Sequence, residues 1–262
     1  MKKSLIALAV LAASGAAMAQ SSVTIYGRVD ASVGSIDKLV GSSQTKLFSG
    51  GDVGLTTPRL GFMGKEDLGG GLSATFKLEQ RINLDTGEVQ APSFKGETSV
   101  GLAGGFGAVR AGRMTTPFDD VRALSNKFNL FDSNGFTTTG FAFENFSAKA
   151  MKYSSRNNGM IRYDSPSFGG VYGSVSHAFE QTAGADDTVT SLLLGYKTGG
   201  LNVALGYQDE KTKQEYTQLA ASYDFGTFAL SGGYSTRKAD AVTGGKDNEY
   251  NLGVEVPFGA VK

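Results

Sequence analysis

Polar or charged side chains stand at every second position in two stretches of this chain, and that spacing is its main chemical clue. In Val23–Val33, the residues Thr24, Tyr26, Arg28, Asp30 and Ser32 alternate with Val23, Ile25, Val29, Ala31 and Val33. In Leu72–Arg81, Ser73, Thr75, Lys77, Glu79 and Arg81 alternate with Leu72, Ala74, Phe76 and Leu78. Successive side chains of a β-strand point to opposite faces, so each stretch has one apolar and one hydrated face. Fixed charges along a hydrated wall act on ions and polar solutes by their field; no bond need be broken.

Groups that break bonds are poorly supplied. His177 is the single histidine, and cysteine is absent, so a thiolate metal site and a disulfide framework are both excluded. No Gly-x-Ser-x-Gly elbow accompanies His177, and no acid is evidently placed to orient it. Asp85-Thr86-Gly87 matches a protease triplet, but it stands once, in a polar segment. Gly104-Gly105-Phe106-Gly107 lacks the spacing and following helix of a dinucleotide loop. Asp186-Asp187 and Asp209-Glu210 read as solvated acidic pairs in external loops. The expectation is a non-enzymatic chain with no cofactor and no metal.

The elements that must carry the charged faces are short strands between Gly-rich turns. The turns are Glu66–Gly71, Gly104–Gly107, Ser165–Gly170, Lys197–Gly200, Asp224–Thr227 and Pro257–Ala260. The first five each sit between two period-2 runs, while longer polar segments separate the pairs. Short turns on one side and long loops on the other describe an all-β, antiparallel transmembrane β-barrel. One leading strand, five turn-linked pairs and one strand before the last turn make about twelve strands. Tyr196, Tyr207, Tyr216, Tyr223, Tyr234 and Tyr250 are expected near strand ends, where aromatic girdles meet the membrane surfaces.

Composition agrees. Met1-Lys2-Lys3, the apolar run Leu5–Ala13 and Ala17-Met18-Ala19 form a signal peptide over residues 1–19, leaving one domain over 20–262. Without Lys2 and Lys3, 23 basic residues face 25 acidic ones, a balance that excludes a nucleic-acid partner. Glycine is abundant at 37 residues and proline scarce at 5, which suits tight turns and curved strands better than a disordered tail.

One segment escapes the alternation. Thr115–Ala150 follows Gly112-Arg113 and carries Phe118-Asp119-Asp120-Val121-Arg122, then Phe128–Asp132 and Phe141–Phe146. Its many phenylalanines argue against disorder. Apolar anchors with acids between them point to a loop folded into the barrel, its acids turned toward basic residues across the lumen.

Val23–Asp30, Pro58–Leu72, Val100–Gly107, Ala111–Arg113 and Ile161–Gly170, in this order, resemble the general porins of β-proteobacteria, the Neisseria and Burkholderia type. The resemblance spans nearly all of the mature chain. It implies an outer-membrane barrel of sixteen strands, assembled as a homotrimer among outer-membrane lipids. Small hydrophilic solutes and ions would diffuse through it. It also implies a constriction where the third external loop folds inward. Carried over by position, the wall arginines are Arg28, Arg59, Arg113 and Arg162, and the loop acids are Asp119, Asp120 and Glu144. Strict alternation from Val109 and Ala111 would turn Arg110, not Arg113, to the lumen, so Arg113 requires a bulge or strand end near Gly112. Family members close on a strand ending in Phe, whereas this chain ends Val261-Lys262. The expectation is therefore that about three to four strands are missing and that the chain is a truncated product. The alternatives are a non-functional fragment, a surface adhesive barrel and an outer-membrane barrel enzyme.

Overall fold

Five of the six Gly-rich turns join neighbouring antiparallel strands, as the alternation requires; the sixth runs beyond the described residues. The computed structural model describes residues 22–36, 44–49, 56–125, 153–211, 214–239 and 246–257. In chain order the strands are β1 (Ser22–Arg28), β2 (Ser32–Ile36), β3 (Gln44–Phe48), β4 (Arg59–Gly69), β5 (Leu72–Arg81), β6 (Thr98–Gly104) and β7 (Gly107–Thr115). Helix α1 (Pro117–Ser125) follows. Then come β8 (Arg156–Asp164), β9 (Val171–Ala178), β10 (Val189–Thr198), β11 (Leu201–Glu210), β12 (Gln214–Asp224), β13 (Ala229–Ala239) and β14 (Lys246–Glu255). The signal peptide, Glu144, the clusters Phe128–Asp132 and Phe141–Phe146, and Val261-Lys262 lie outside the described residues.

Twelve strands form one antiparallel sheet in the order β1-β4-β5-β6-β7-β8-β9-β10-β11-β12-β13-β14. The expected strand count holds. Among the described residues β1 and β14 are its edges, so the sheet is not closed. The first strand is shorter than Val23–Val33. It ends at Arg28, and Ser32–Ile36 instead pairs with Gln44–Phe48 in a separate two-stranded hairpin. Alternation continues through the break, which is why the sequence pattern conceals it. At the β4–β5 turn Gly69, Gly70 and Gly71 all take positive φ (84°, 61° and 79°), a run that side chains with a Cβ resist.

Burial is inverted relative to a water-soluble sheet. One face buries Ser99, Ser191, Gln208, Gln218, Ser231 and Ser235, with Gln218 at 0% exposure. The opposite face leaves large apolar groups exposed, among them Val100 (66%), Leu194 (61%), Leu205 and Leu219. Such a face belongs in hydrocarbon, where closed hydrogen-bonded strands can span without unsatisfied backbone groups. Among the described residues no helix is long and apolar enough to cross a membrane.

The tyrosines divide. Tyr223 lies at a strand end and is exposed, with Phe225 at 4.4 Å and Phe228 stacked on Phe225 at 4.6 Å between ring centres. Tyr234 and Tyr250 face each other near mid-strand. Tyr216 is the clear departure from the girdle. Register sets it beside Gln208 on the inner face, fully buried against Phe118 and Tyr153.

Candidate functional site

Helix α1 begins where the backbone can turn out of the sheet. Thr116 precedes Pro117, whose fixed φ and missing N–H suit a first helical position. The Asp119 amide donates to the Thr116 carbonyl at 3.1 Å and lies 3.3 Å from its Oγ1. Asp119 and Asp120 fall in the first turn, where the helix dipole favours negative charge. The helix was not legible as such in Thr115–Ala150, although Thr-Pro followed by two acids is a start signal.

The helix lies on the inner face. Phe118 meets Tyr153 edge-on at 5.1 Å and Tyr216 at 5.9 Å. Val121 packs on Leu193, Ala204 and Ala220. Beneath both, Gly206 leaves room that an added methyl would close, at 3.0 Å from Val121 Cγ2 and 3.2 Å from Phe118 Cδ2. Polar clamps fix the two ends. The Phe118 amide donates to Ser191 Oγ at 2.9 Å. At the far end Gln218 Nε2 donates to Ser125 Oγ at 3.2 Å, and Ser231 Oγ and Asn251 Nδ2 donate to the Ser125 carbonyl at 3.1 and 3.3 Å.

Of the two helix acids, Asp120 pairs with Arg162 of β8. Burial pushes the Asp120 carboxyl up, against the pull of the Arg162 guanidinium. Asp119 accepts from Tyr153 Oη at 2.6 Å and from Arg122 Nε at 3.0 Å.

The wall arginines separate into groups. Arg28, Arg59 and Arg81 stand in register on β1, β4 and β5, forming a row across three neighbouring strands. Glu79 serves this row. Its carboxylate is 3.0 Å from Arg81 Nη2 and 3.7 Å from Arg59 Nη1, and it accepts from Tyr26 Oη at 3.0 Å. Arg162 is 5% exposed and lies at the foot of α1. Arg113 sits apart, donating to the Lys95 carbonyl at 3.2 Å and to Asn158 Oδ1 at 2.6 Å. A register break does occur beside Gly112, whose φ is 140°. Its extra residue falls in β8, however, because Gly112 pairs Met160 while Met114 pairs Asn157. Arg113 pairs Thr98, in the row of exposed Val100. Arg110 takes the place alternation gave it, between Glu97 (3.2 Å) and Asp164 (2.7 Å).

Glu97 is held by Lys77 at 2.9 Å, Ser99 Oγ at 2.9 Å and Arg110. Burial opposes its ionisation, but the Lys77 ammonium, Ser99 and Arg110 outweigh that and keep the carboxyl below its ordinary value. Arg81, Glu79, Arg110, Asp164 and Glu97 join the site beyond the residues carried over by resemblance. Alternation carried the signal for the first three and, through its i,i+2 spacing from Arg162, for Asp164; only register brings in Glu97. His177 lies opposite exposed Ile161, 2.9 Å from Thr190 Oγ1 through Nδ1, away from the helix acids.

The profile of a family described as Gram-negative porin matches residues 5–262. Outer membrane porin protein 32 of Delftia acidovorans is 42% identical over 283 residues, covering 100% of this chain and 77% of that protein. Major outer membrane protein P.IB of Neisseria gonorrhoeae is 33% identical over 232 residues, and the match spans 87% of this chain but 59% of that relative's length. Among solved structures, an anion-selective porin from Comamonas acidovorans superposes with TM-score 0.73 at 34% identity, covering 92% of this chain and 76% of that one. An OmpF of Salmonella typhi, at 17% identity and TM-score 0.63, shares the fold.

Proposed function

This chain belongs to the Gram-negative porin family of the outer membrane, and on that premise we propose that its channel narrows between helix α1 and the arginine-bearing inner wall. Polar side chains line the wall, apolar ones cover the outside, and an acid-bearing helix rests on the inner face. That inversion, with α1 inside it, is the observation that carries the proposal.

Asp119 and Asp120 supply the negative side, joined by Glu144 on the strength of the family resemblance alone. Arg28 and Arg59 supply the positive side, extended by Arg81. Arg113 stands at the loop end of β7, and Arg162 at the foot of the helix. Opposed rows of charge set a field across the water path, which orders water and favours small polar solutes and ions over apolar ones. Three arginines stand in one row on the β1–β4–β5 wall, with Glu79 among their partners, and this clustering of guanidinium groups supports an anion preference. The family resemblance carries the homotrimer. The chain performs no chemistry on its solutes.

Planar-bilayer recording tests the proposal. The parent chain is expected to give stepwise, ohmic openings. Arg59→Ala should move the reversal potential toward cations and Glu79→Gln toward anions. A parent that never conducts, or two variants that shift the same way, refutes it.

A further inference from the structure

We propose that Arg162 is a latch, a positioning residue that holds α1 on the wall, and not one of the charges that select ions. The inference rests on the constriction described above and assigns one of its members a different task.

Every nitrogen of the Arg162 guanidinium is engaged. Nε donates to Asp164 Oδ1 at 2.9 Å, and Nη2 to the same oxygen at 2.7 Å. Nη2 also meets Asp120, in the first turn of α1. Nη1 donates to the Thr115 carbonyl at 3.0 Å, at the end of β7. One planar group therefore ties the strand that leads into the helix, the helix itself and the wall of β8. A planar fork with fixed donor directions can do this; a point charge cannot.

Asp164 is braced in turn. Arg110 Nη2 of β7 and Ser174 Oγ of β9 each donate to it at 2.7 Å. Beyond Arg110 come Glu97 and then Lys77. Lys77, Glu97, Arg110, Asp164, Arg162 and Asp120 thus alternate in sign along one chain across the wall, three positive and three negative. Such a chain carries no net charge. The Arg162 side chain, 6% exposed, offers little to a passing ion. The Arg28–Arg59–Arg81 row, which makes no contact with α1 among the contacts described above, carries the selectivity instead.

Apolar contact at Phe118 and Val121 also holds α1, but such contact is non-directional and tolerates sliding. The three tethers of Arg162 add charge-assisted, directional anchors at the first turn to the hydrogen bonds at Ser191 and Ser125.

Arg162→Lys separates the two tasks, because it keeps the charge and loses the fork. The chain has no cysteine, so Val121→Cys gives a unique label on a helix position that is fully buried. In that background a hydrophilic maleimide is expected to react about tenfold faster or more with Arg162→Lys than with Arg162, reflecting more frequent opening of the helix contact. Bilayer currents of Arg162→Lys should flicker while the reversal potential stays at the parental value. Asp164→Asn, which removes a charge from the wall, should reproduce the faster labelling and the flicker but not the parental reversal potential, and its labelling rate serves alone if the lysine variant does not fold. Parental labelling rates, or quiet currents with a shifted reversal potential, overturn the latch. A parent that does not conduct would refute the channel proposal, and the labelling rates would still decide the latch.

Discussion

Truncating Phe118 to alanine should loosen the helix that narrows the channel. The ring is fully buried, edge-on to Tyr153 at 5.1 Å and close to Tyr216 at 5.9 Å. Removing a buried phenylalanine from a packed core costs about 3–5 kcal/mol. The lower end applies here, because lumen water can enter the cavity left behind. About 3 kcal/mol corresponds to roughly a hundredfold fall in the ratio of docked to undocked helix. The clamps at Ser191 and Ser125 and the Arg162 tether remain, so the strands themselves should assemble as before. Single-channel recording reads the effect as long-lived sublevels or flicker and a broadened conductance distribution, with the β-sheet circular dichroism signal unchanged. A Phe118→Ala channel as quiet as its parent, and of equal conductance, would refute the assignment of α1 as the narrowing element.

Two further outcomes follow from the same geometry. Leu205 is exposed in mid-strand on the apolar face, with Leu194 and Leu219 as its cross-strand partners. Leu205→Arg should therefore lower folded stability in lipid vesicles by about 2–4 kcal/mol; equal urea midpoints would show that this face does not meet hydrocarbon. Glu97→Gln should cost about 1 kcal/mol at neutral pH, since its partner Lys77 is about a third exposed and screened. The folded-state value of Glu97 is depressed, so its contribution is present above the ordinary value of 4.5 and is lost as pH falls through the depressed one. The stability gap between parent and Glu97→Gln should hold from pH 7 to pH 5 and close below about 4.5; a gap that closes near pH 6 would contradict the ion-pair account.

Much of this architecture is a property of the sequence alone. A two-residue period decides which side chains share a face, so the hydrated row of Lys77, Glu79 and Arg81 and the apolar row of Phe76 and Leu78 are set by the sequence. Gly-rich turns set the pairing order, because antiparallel neighbours joined by short turns leave little choice. Alternation also placed Arg110 correctly on the inner side. Period-2 logic could not see relations between strands, which depend on register. It took pairing of β1 with β4 and of β4 with β5 to bring Arg28, Arg59 and Arg81 into one row. Ser32 and Val33 kept the alternation of the first strand yet left it for a hairpin, since alternation carries no record of which partner supplies the hydrogen bonds. Tyr216 looked like a membrane-surface tyrosine, and its pairing with Gln208 turned it inward. Whether a charge filters ions or fastens a helix is likewise set by what stands across from it. Arg162 and Arg59 are the same residue type on the same wall, and only the tertiary structure puts Asp120, Asp164 and the Thr115 carbonyl around the first and leaves the second in a row of its own kind.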